Sequence, residues 1–174
     1  MRRAGVLTVS DRSYLALRAD TTGPLIADRL HSLGFDVARR EIVPDDRARI
    51  AGLLRQWSEE HLDLVLTTGG TGLARRDETP EATNDVAHRV VPGICEWIRT
   101  ATSARHPFAS LSRGIAVVRD STLIINLPGS PRGVNEYLDH LEKILDHALG
   151  QISQRPDFGP SLPHLDRSAE QEES

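Results

Sequence analysis

The sequence lacks several features that would assign it to a definite class of protein. Its single cysteine, Cys95, excludes an internal disulfide and a zinc site built from cysteines. No apolar run reaches the length of a membrane span, and the short run at residues 5–9 is broken too early for a signal peptide. The net charge of -4 argues against a nucleic-acid-binding surface, which needs a clustered basic excess. We therefore expect one cytoplasmic domain with neither a nucleic acid nor a membrane as partner.

Lysine is almost absent, and this bears on the most glycine-rich segment of the chain. Residues 67–72 read Thr-Thr-Gly-Gly-Thr-Gly, in which glycines let backbone amides crowd an anion and threonine hydroxyls add donors. A Walker A loop requires lysine after its last glycine, but Leu73 stands there and the one lysine is Lys143. The segment is either a phosphate-binding loop of another kind or a tight structural turn. In the first case arginines must meet the phosphate charge, and the best placed are Arg75, Arg76 and Arg113.

Short apolar strands alternate with amphipathic helices along the chain. Strand patterns cover residues 5–10, 35–43, 62–68, 114–118 and 122–126, and the last two are separated by a turn that favours a hairpin. The alternation predicts an α/β fold: a three-layer α/β/α sandwich with a mostly parallel sheet and one hairpin at or near an edge. We assign residues 1–153 to this domain and residues 154–174, rich in proline and polar residues, to a C-terminal polar tail.

Several helix boundaries are predicted sharply enough to be checked. Pro24 should occupy the first position of a helix, whose apolar face comprises Leu25, Ile26, Leu30 and Leu33. Thr79 should cap the helix that contains Pro80 and Glu81. Residues 92–93, Pro-Gly, should end that helix, so that the next one begins near Ile94.

Polar loops follow three of the predicted strands, at residues 10–11, 67–72 and 127–130. In open parallel sheets ligands bind beyond the carboxyl ends of the strands, so these loops should converge on one pocket. The third loop leads into a helix N-terminus, whose free amides form a second possible anion site. A rigid turn capped by Ser130 explains the same residues equally well. Ser112 and Arg113 are placed to bring a hydroxyl and a guanidinium to the same pocket.

Carboxylates near the glycine loop have two possible roles. Asp77 follows the loop and precedes a helix, so it is either an N-terminal cap or a magnesium ligand beside bound phosphates. Asp45 and Asp46 present the same choice before the second long helix: one of them should be its cap, which leaves the other available for catalysis.

Five motifs, taken in this order along residues 5–152, resemble the MogA/MoaB family, which includes the G domain of gephyrin. They are Thr8-Val9-Ser10-Asp11, Thr68-Gly69-Gly70-Thr71-Gly72, Arg76-Asp77 with Thr79-Pro80-Glu81-Ala82, Ser112-Arg113, and Asn126-Leu127-Pro128-Gly129-Ser130-Pro131. One departure is visible: residues 14–19 contain no glycine, whereas the family has a glycine-containing loop before its Asp-x-Ser-Gly-Pro motif. In that motif Thr22 stands in place of the serine.

The resemblance implies a homotrimeric enzyme of molybdenum cofactor biosynthesis, with a molybdenum insertase as a possible partner. Such an enzyme binds molybdopterin and transfers AMP to its terminal phosphate from ATP, with Mg²⁺ required. The resemblance makes Asp45 and Asp77 the catalytic carboxylates and places Asp77 at the metal. The residues that it assigns to the nucleotide and pterin sites are Ser10, Asp11, Thr68, Gly69, Gly70, Thr71, Gly72, Pro80, Glu81, Ser112, Arg113, Pro128, Gly129 and Ser130.

Three other functions are compatible with the sequence. The chain could be a molybdopterin-binding family member without transferase activity, although the presence of Asp45 and Asp77 disfavours this. It could be a nucleotide hydrolase, since related domains occur in competence-damage-inducible-type proteins. A scaffold role is suggested only by the likeness to gephyrin and the long last helix.

Overall fold

The computed structural model describes residues 1–153, and the tail predicted at residues 154–174 lies outside them. The first half contains β1 (Arg3–Val9), α1 (Asp11–Tyr14), α2 (Thr22–Ser32), β2 (Asp36–Val43), α3 (Arg47–Glu59) and β3 (Leu64–Thr68). The second half contains α4 (Thr79–Asn84), β4 (Arg89–Val90), α5 (Pro92–Ser103), a 3-10 helix (Pro107–Leu111), β5 (Ala116–Arg119), β6 (Thr122–Leu127) and α6 (Pro131–Ile152). None of the helices in residues 1–153 has the length and apolar character needed to cross a membrane.

The six strands form one sheet in the order β2-β1-β3-β6-β5-β4. The first four are parallel, and β5 returns antiparallel beside β6 through the predicted hairpin, one strand from the edge. In the register Thr8 lies opposite Thr68, and Thr68 lies opposite Leu127, so β1, β3 and β6 end together. The predicted fold is confirmed.

Helices cover both faces of the sheet because the strands alternate between two hydrophobic cores. Along β1, Val6 belongs to the core under α2, α5 and α6, whereas Leu7 belongs to the core under α3 and α4. The long helix α6 is amphipathic and buries one apolar face, formed by Val134, Leu138, Leu141, Leu145 and Leu149, in the first core. The single cysteine is also buried there, where Cys95 Sγ accepts a hydrogen bond from the hydroxyl of Tyr137 at 2.9 Å.

Two predicted helix caps are confirmed, and the apolar face predicted for α2 is partly wrong. Asp46 caps α3 by accepting from the amide of Arg49 at 2.8 Å, and Ser130 caps α6. Helix α2, however, begins at Thr22, which puts Pro24 at its third position rather than its first. Leu33 follows the last residue of α2 and is 40% exposed, because the chain turns away at Gly34 with a φ of +83°.

The prediction for α4 and α5 was wrong at three points. Glu78 precedes α4, and Thr79 is its first residue, buried, with a hydroxyl that makes no hydrogen bond within the described residues. The helix ends at Asn84 rather than near residue 92. Residues 92–93 open α5, because proline lacks the amide that the first turn of a helix leaves unpaired. Between the two helices lies β4, which at two residues is too short for a periodicity signal.

The contrast between two leucines at the end of α2 gives a test of this packing. Leu30→Ala should lower the free energy of unfolding by about 2–5 kcal/mol, because Leu30 is fully buried and its removal leaves a cavity. Leu33→Ala is the matched control and should cost at most about 0.5 kcal/mol. Urea denaturation of both variants measures the difference. Equal losses would mean that Leu33 packs in the core, as the sequence alone suggested.

Candidate active site

Three loops meet at Gly69, where β3 ends between β1 and β6. A Cβ atom on Gly69 would lie 2.2 Å from the carbonyl oxygen of Val9, and φ there is +93°, so only glycine fits. Gly129 approaches from the other side, and a Cβ placed on it would lie 3.2 Å from Gly69 Cα. The hydroxyl of Thr68 donates to the carbonyl oxygen of Pro128 at 2.7 Å. The predicted convergence of these loops is therefore present.

A cavity of about 720 Å³ opens on one side of this junction. Nine of the predicted site residues line it, and they are Gly69, Gly70, Thr71, Gly72, Asp77, Ser112, Pro128, Gly129 and Ser130. The glycine loop and the N-terminal turn of α6 thus face the same space. The amide of Gly69 donates to the carbonyl oxygen of Leu127 and that of Gly133 donates to Ser130 Oγ, which leaves, in the described part of the chain, the amides of residues 70–72 and of Arg132 for a ligand. Such a surface suits an anionic ligand.

A smaller cavity of about 80 Å³ lies on the other side of Gly69 and Gly129. Hydroxyl-bearing residues dominate its lining, and they include Ser10, Ser13, Thr8, Thr21, Thr22 and Thr68. The Ser10 hydroxyl also caps α1 by accepting from the amide of Ser13 at 3.2 Å. Asp20 accepts from the amide of Gly23 at 2.9 Å and thereby satisfies the start of α2. The two cavities share only the glycines of the junction, so Gly69 and Gly129 form the partition between them.

A corner of carboxylates adjoins the glycine loop. The carboxylate of Asp11 accepts from the amide of Asp45 and that of Asp45 accepts from the amide of Asp11, both at 3.1 Å. Arg76 Nε lies 2.7 Å from Asp11 Oδ2 and supplies the neighbouring positive charge. Burial, together with the charges of Asp11 and Asp77, raises the pKa of Asp45 above its ordinary value, even though the hydrogen bond from Asp11 and the charge of Arg76 oppose the shift.

The two predicted catalytic carboxylates both pack against the glycine loop. A Cβ on Gly70 would lie 3.0 Å from Asp45 Oδ1, and one on Gly72 would lie 2.8 Å from Asp77 Oδ2. Asp77 Oδ2 accepts from the amide of Ala74 at 2.9 Å, which closes a turn at the end of the loop. Asp46 caps α3, so Asp45 is the member of that pair left free of capping.

Five predicted site residues line neither of these cavities within the described part of the chain: Asp11 and Asp45 of the carboxylate corner, together with Pro80, Glu81 and Arg113. Arg113 Nε donates to the carbonyl oxygen of Gly72 at 2.7 Å, and its two terminal nitrogens contact the carbonyl oxygen of Asp77 and the carboxylate of Glu81. Burial raises the pKa of Glu81, but the hydrogen bond and charge of Arg113 outweigh it and leave that pKa lowered. All three guanidinium nitrogens of Arg113 therefore bond to acceptors within the protein.

One wall of the large cavity was not anticipated from the sequence. It is built from α5, the 3-10 helix and α6 by Arg99, Thr102, His106, Phe108, Leu111, Arg132, Glu136 and Tyr137. Glu136 Oε1 accepts from Arg132 Nε at 3.1 Å and lies 2.9 Å from His106 Nε2. The spacing of Arg132 and Glu136, four residues apart on α6, was the available signal, whereas nothing local to the sequence places His106 beside them.

A buried amide holds the strand ends together behind the glycine loop. Asn126 on β6 donates to the hydroxyls of Thr67 at 3.0 Å and Thr83 at 2.8 Å, and it accepts from the amide of Ile115 at 3.1 Å. These bonds join β6 to β3 and α4. Asn126 belongs to one of the motifs that carried the resemblance, although no role was assigned to it there.

Fold and site together define an α/β protein with a pocket at the carboxyl ends of its parallel strands. The sequence profile of the family described as "Probable molybdopterin binding domain" matches residues 5–147. The chain belongs to this family.

Named relatives and solved structures are similar to the chain over most of its length. The molybdopterin adenylyltransferase of Helicobacter pylori strain 26695 is 41% identical over 151 residues, which cover 85% of this chain and 86% of the relative. The molybdenum cofactor synthesis protein cinnamon of Drosophila melanogaster is 37% identical, and the chain spans about a quarter of its length, 25%, with 85% of this chain aligned. The crystal structure of the molybdopterin biosynthesis enzyme MoaB from Thermus thermophilus superposes with a TM-score of 0.85 at 48% identity, over 90% of this chain and 99% of that one.

The close approach at Gly69 predicts a clear difference between two glycine substitutions. Gly69→Ala should lower the free energy of unfolding by at least about 1–3 kcal/mol, because the new Cβ meets the carbonyl oxygen of Val9 at a positive φ. Gly52→Ala in α3, where no atom lies within 4 Å of the added Cβ, should raise it by about 0.4–1 kcal/mol. Thermal or urea denaturation checks both signs. A stable Gly69→Ala protein would mean that the junction is looser than described.

The raised pKa of Asp45 predicts a pH-dependent gain in stability on its neutralisation. A carboxyl whose pKa is higher in the folded state destabilises that state as pH rises from about 3.9 through the folded-state pKa. Asp45→Asn removes this penalty and keeps an acceptor for the amide of Asp11. The variant's urea midpoint should therefore exceed that of the wild type at pH 7 and approach it at pH 4. A difference that shrinks toward pH 7 would contradict the assignment.

Proposed function

We propose that the chain is a molybdopterin adenylyltransferase that acts in molybdenum cofactor biosynthesis. The observation that carries this proposal is the packing of Asp45 and Asp77 against Gly70 and Gly72 of one glycine loop, which lines a cavity of about 720 Å³. The similarity to curated molybdopterin adenylyltransferases over about four fifths or more of this chain supports the same activity.

The proposed reaction joins the terminal phosphate of molybdopterin to the α-phosphorus of ATP. A phosphate oxygen of molybdopterin forms the new bond, the bond between the α-phosphorus and the α,β-bridging oxygen breaks, and pyrophosphate leaves with that oxygen. Such a transfer needs alignment of the two phosphates and neutralisation of their charge more than it needs a nucleophile from the protein. Backbone amides of residues 70–72 and of Arg132 are the groups of this chain that would hold phosphate oxygens.

The donor set of this corner fits magnesium. Among residues 1–153 no group of three or more His, Cys, Asp or Glu side chains is arranged to hold a metal ion unaided. Magnesium is ordinarily held by one or two carboxylates together with substrate phosphates, and Asp77 with Asp45 would provide those carboxylates. Because burial and nearby carboxylates raise the pKa of Asp45, a cation is favoured beside it. When bound, the metal would neutralise charge on the phosphate oxygens.

Other parts of the proposal follow from the family resemblance. Molybdopterin and ATP would share the large cavity, with Ser112 and residues 128–130 on one side and the glycine loop on the other. Ser10, Asp11 and Thr68 would line the ligand sites near the small cavity and the carboxylate corner. A homotrimer, a molybdenum insertase as partner and a cytoplasmic location stay predictions.

The activity is tested by AMP transfer from magnesium-ATP to purified molybdopterin. The wild type should form the adenylylated product, and Asp77→Asn should reduce the rate by at least about 100-fold, which is the order of effect seen when one preorganised electrostatic group is removed from an active site, about 2.7–4 kcal/mol. The variant keeps an acceptor for the amide of Ala74, so its fold should persist.

Asp46→Asn is the matched control, because asparagine caps α3 as well as aspartate does and Asp46 is not a site residue of the proposal. Its rate should equal that of the wild type. Tight molybdopterin binding without any transfer by the wild type would indicate a binding protein, and ATP turnover without the pterin would indicate a hydrolase.

A further inference from the structure

The segment that carries Asp77 has few attachments to the rest of the protein. Residues 73–76 are exposed, and the hydrogen bonds between Ala74 and Asp77 close a turn within the segment itself. An internal turn fixes the shape of the segment but not its position against the sheet. Its position must therefore come from bonds that reach outside it, and one set of these joins Arg76 to the carboxylate of Asp11.

Arg113 supplies such bonds at both ends of the segment. Its Nε donates to the carbonyl oxygen of Gly72 at 2.7 Å, and one terminal nitrogen donates to the carbonyl oxygen of Asp77. Its own amide donates to the carbonyl oxygen of Thr71 at 2.9 Å, so side chain and backbone hold the same stretch. The carboxylate of Glu81, on the helix that follows, accepts a hydrogen bond from the remaining terminal nitrogen and balances the positive charge of Arg113.

Arg113 can position this segment, as a clamp on residues 72 and 77, only if it is itself fixed by the rest of the protein. The backbone after it is anchored by Arg99, whose Nη1 donates to the carbonyl oxygen of Gly114 at 2.7 Å. Gly114 also packs closely on β6, since an added Cβ would lie 2.9 Å from the carbonyl oxygen of Asn126. The guanidinium thus connects the fixed residues just before β5 to a loop that has no buried side chain of its own in residues 73–76.

We infer that Arg113 is a positioning residue that sets the location of Asp77 by bridging residues 72 and 77, rather than a ligand of the substrate phosphates. The inference rests on the proposed function, because it concerns the carboxylate assigned there to magnesium. It also explains why an arginine is needed: the planar fork directs donors from three separate nitrogens at three acceptors, whereas the three donors of an ammonium group radiate from one nitrogen and do not reproduce that geometry.

Arg113→Lys separates the two roles, because it keeps the positive charge and removes the fork. In ligand-free protein, the amides of Ala74 and Asp77 should exchange hydrogen at least about tenfold faster than in the wild type, while amides of β3 stay unchanged. In the transfer assay, kcat should fall by at least about tenfold and the magnesium concentration for half-maximal rate should rise several-fold, with the KM for molybdopterin unchanged.

Arg119→Lys is the control, because Arg119 also bonds a backbone carbonyl, that of Val86 at 3.2 Å, and lies at the other end of the sheet. It should leave exchange and kinetics unchanged. Glu81→Gln is a second, milder variant that weakens the clamp without removing it, and it should shift the same observables in the same direction. It decides the question if Arg113→Lys does not fold.

Two results would overturn the inference. Unchanged exchange of Ala74 and Asp77 in Arg113→Lys would mean that other contacts position the segment. A higher KM for ATP with unchanged kcat and magnesium dependence would mean that Arg113 binds phosphate directly. Absence of AMP transfer by the wild type would refute the proposed function instead, and the exchange measurement would still test the clamp.

Discussion

The structure of the site depends on one close contact, that of Gly69 with the end of β1. The carbonyl oxygen of Val9 occupies the space that any side chain at position 69 would need, and Gly129 closes from the other side. This contact lets three parallel strands end at the same level, as the pairing of Thr8, Thr68 and Leu127 requires. Each loop that follows then faces the others, and the two cavities form on either side of the glycines.

Electrostatic strain accompanies this geometry. Asp11 and Asp45 exchange backbone hydrogen bonds, which holds two carboxylates close together in a half-buried corner beside Asp77. A raised pKa at Asp45 means that the folded state would be more stable without that charge. Functional sites commonly keep such unfavourable groups because the ligand relieves the cost. A divalent cation and its phosphate partners would do so here.

Two arginines of this site bond to acceptors within the protein itself. Arg113 bridges the glycine loop and the segment that carries Asp77, and Arg76 pairs with Asp11. In the proposed reaction, phosphate oxygens would be held mainly by backbone amides, which are fixed by the fold and need no reorganisation when a ligand arrives. This division agrees with the shortage of lysine: a flexible ammonium group replaces neither a three-way clamp nor a rigid array of amides.

The amino-acid sequence by itself determined the order of the five longer strands and the long helices, the three polar loops and two of the helix caps, because periodicity and capping are local properties. It missed the two-residue strand β4 and misplaced the boundary between α4 and α5. It also identified nine residues of the large cavity: seven belong to loops at the ends of parallel strands, which must meet, and Asp77 and Ser112 came from the family resemblance. It did not place His106 beside Glu136, and it assigned Arg113 to the ligand. Those positions depend on contacts between residues that lie 30 and 41 positions apart, and many side-chain arrangements satisfy the same local pattern. Only the tertiary structure, by packing α5 and α6 against one face of the sheet, decided which of them forms.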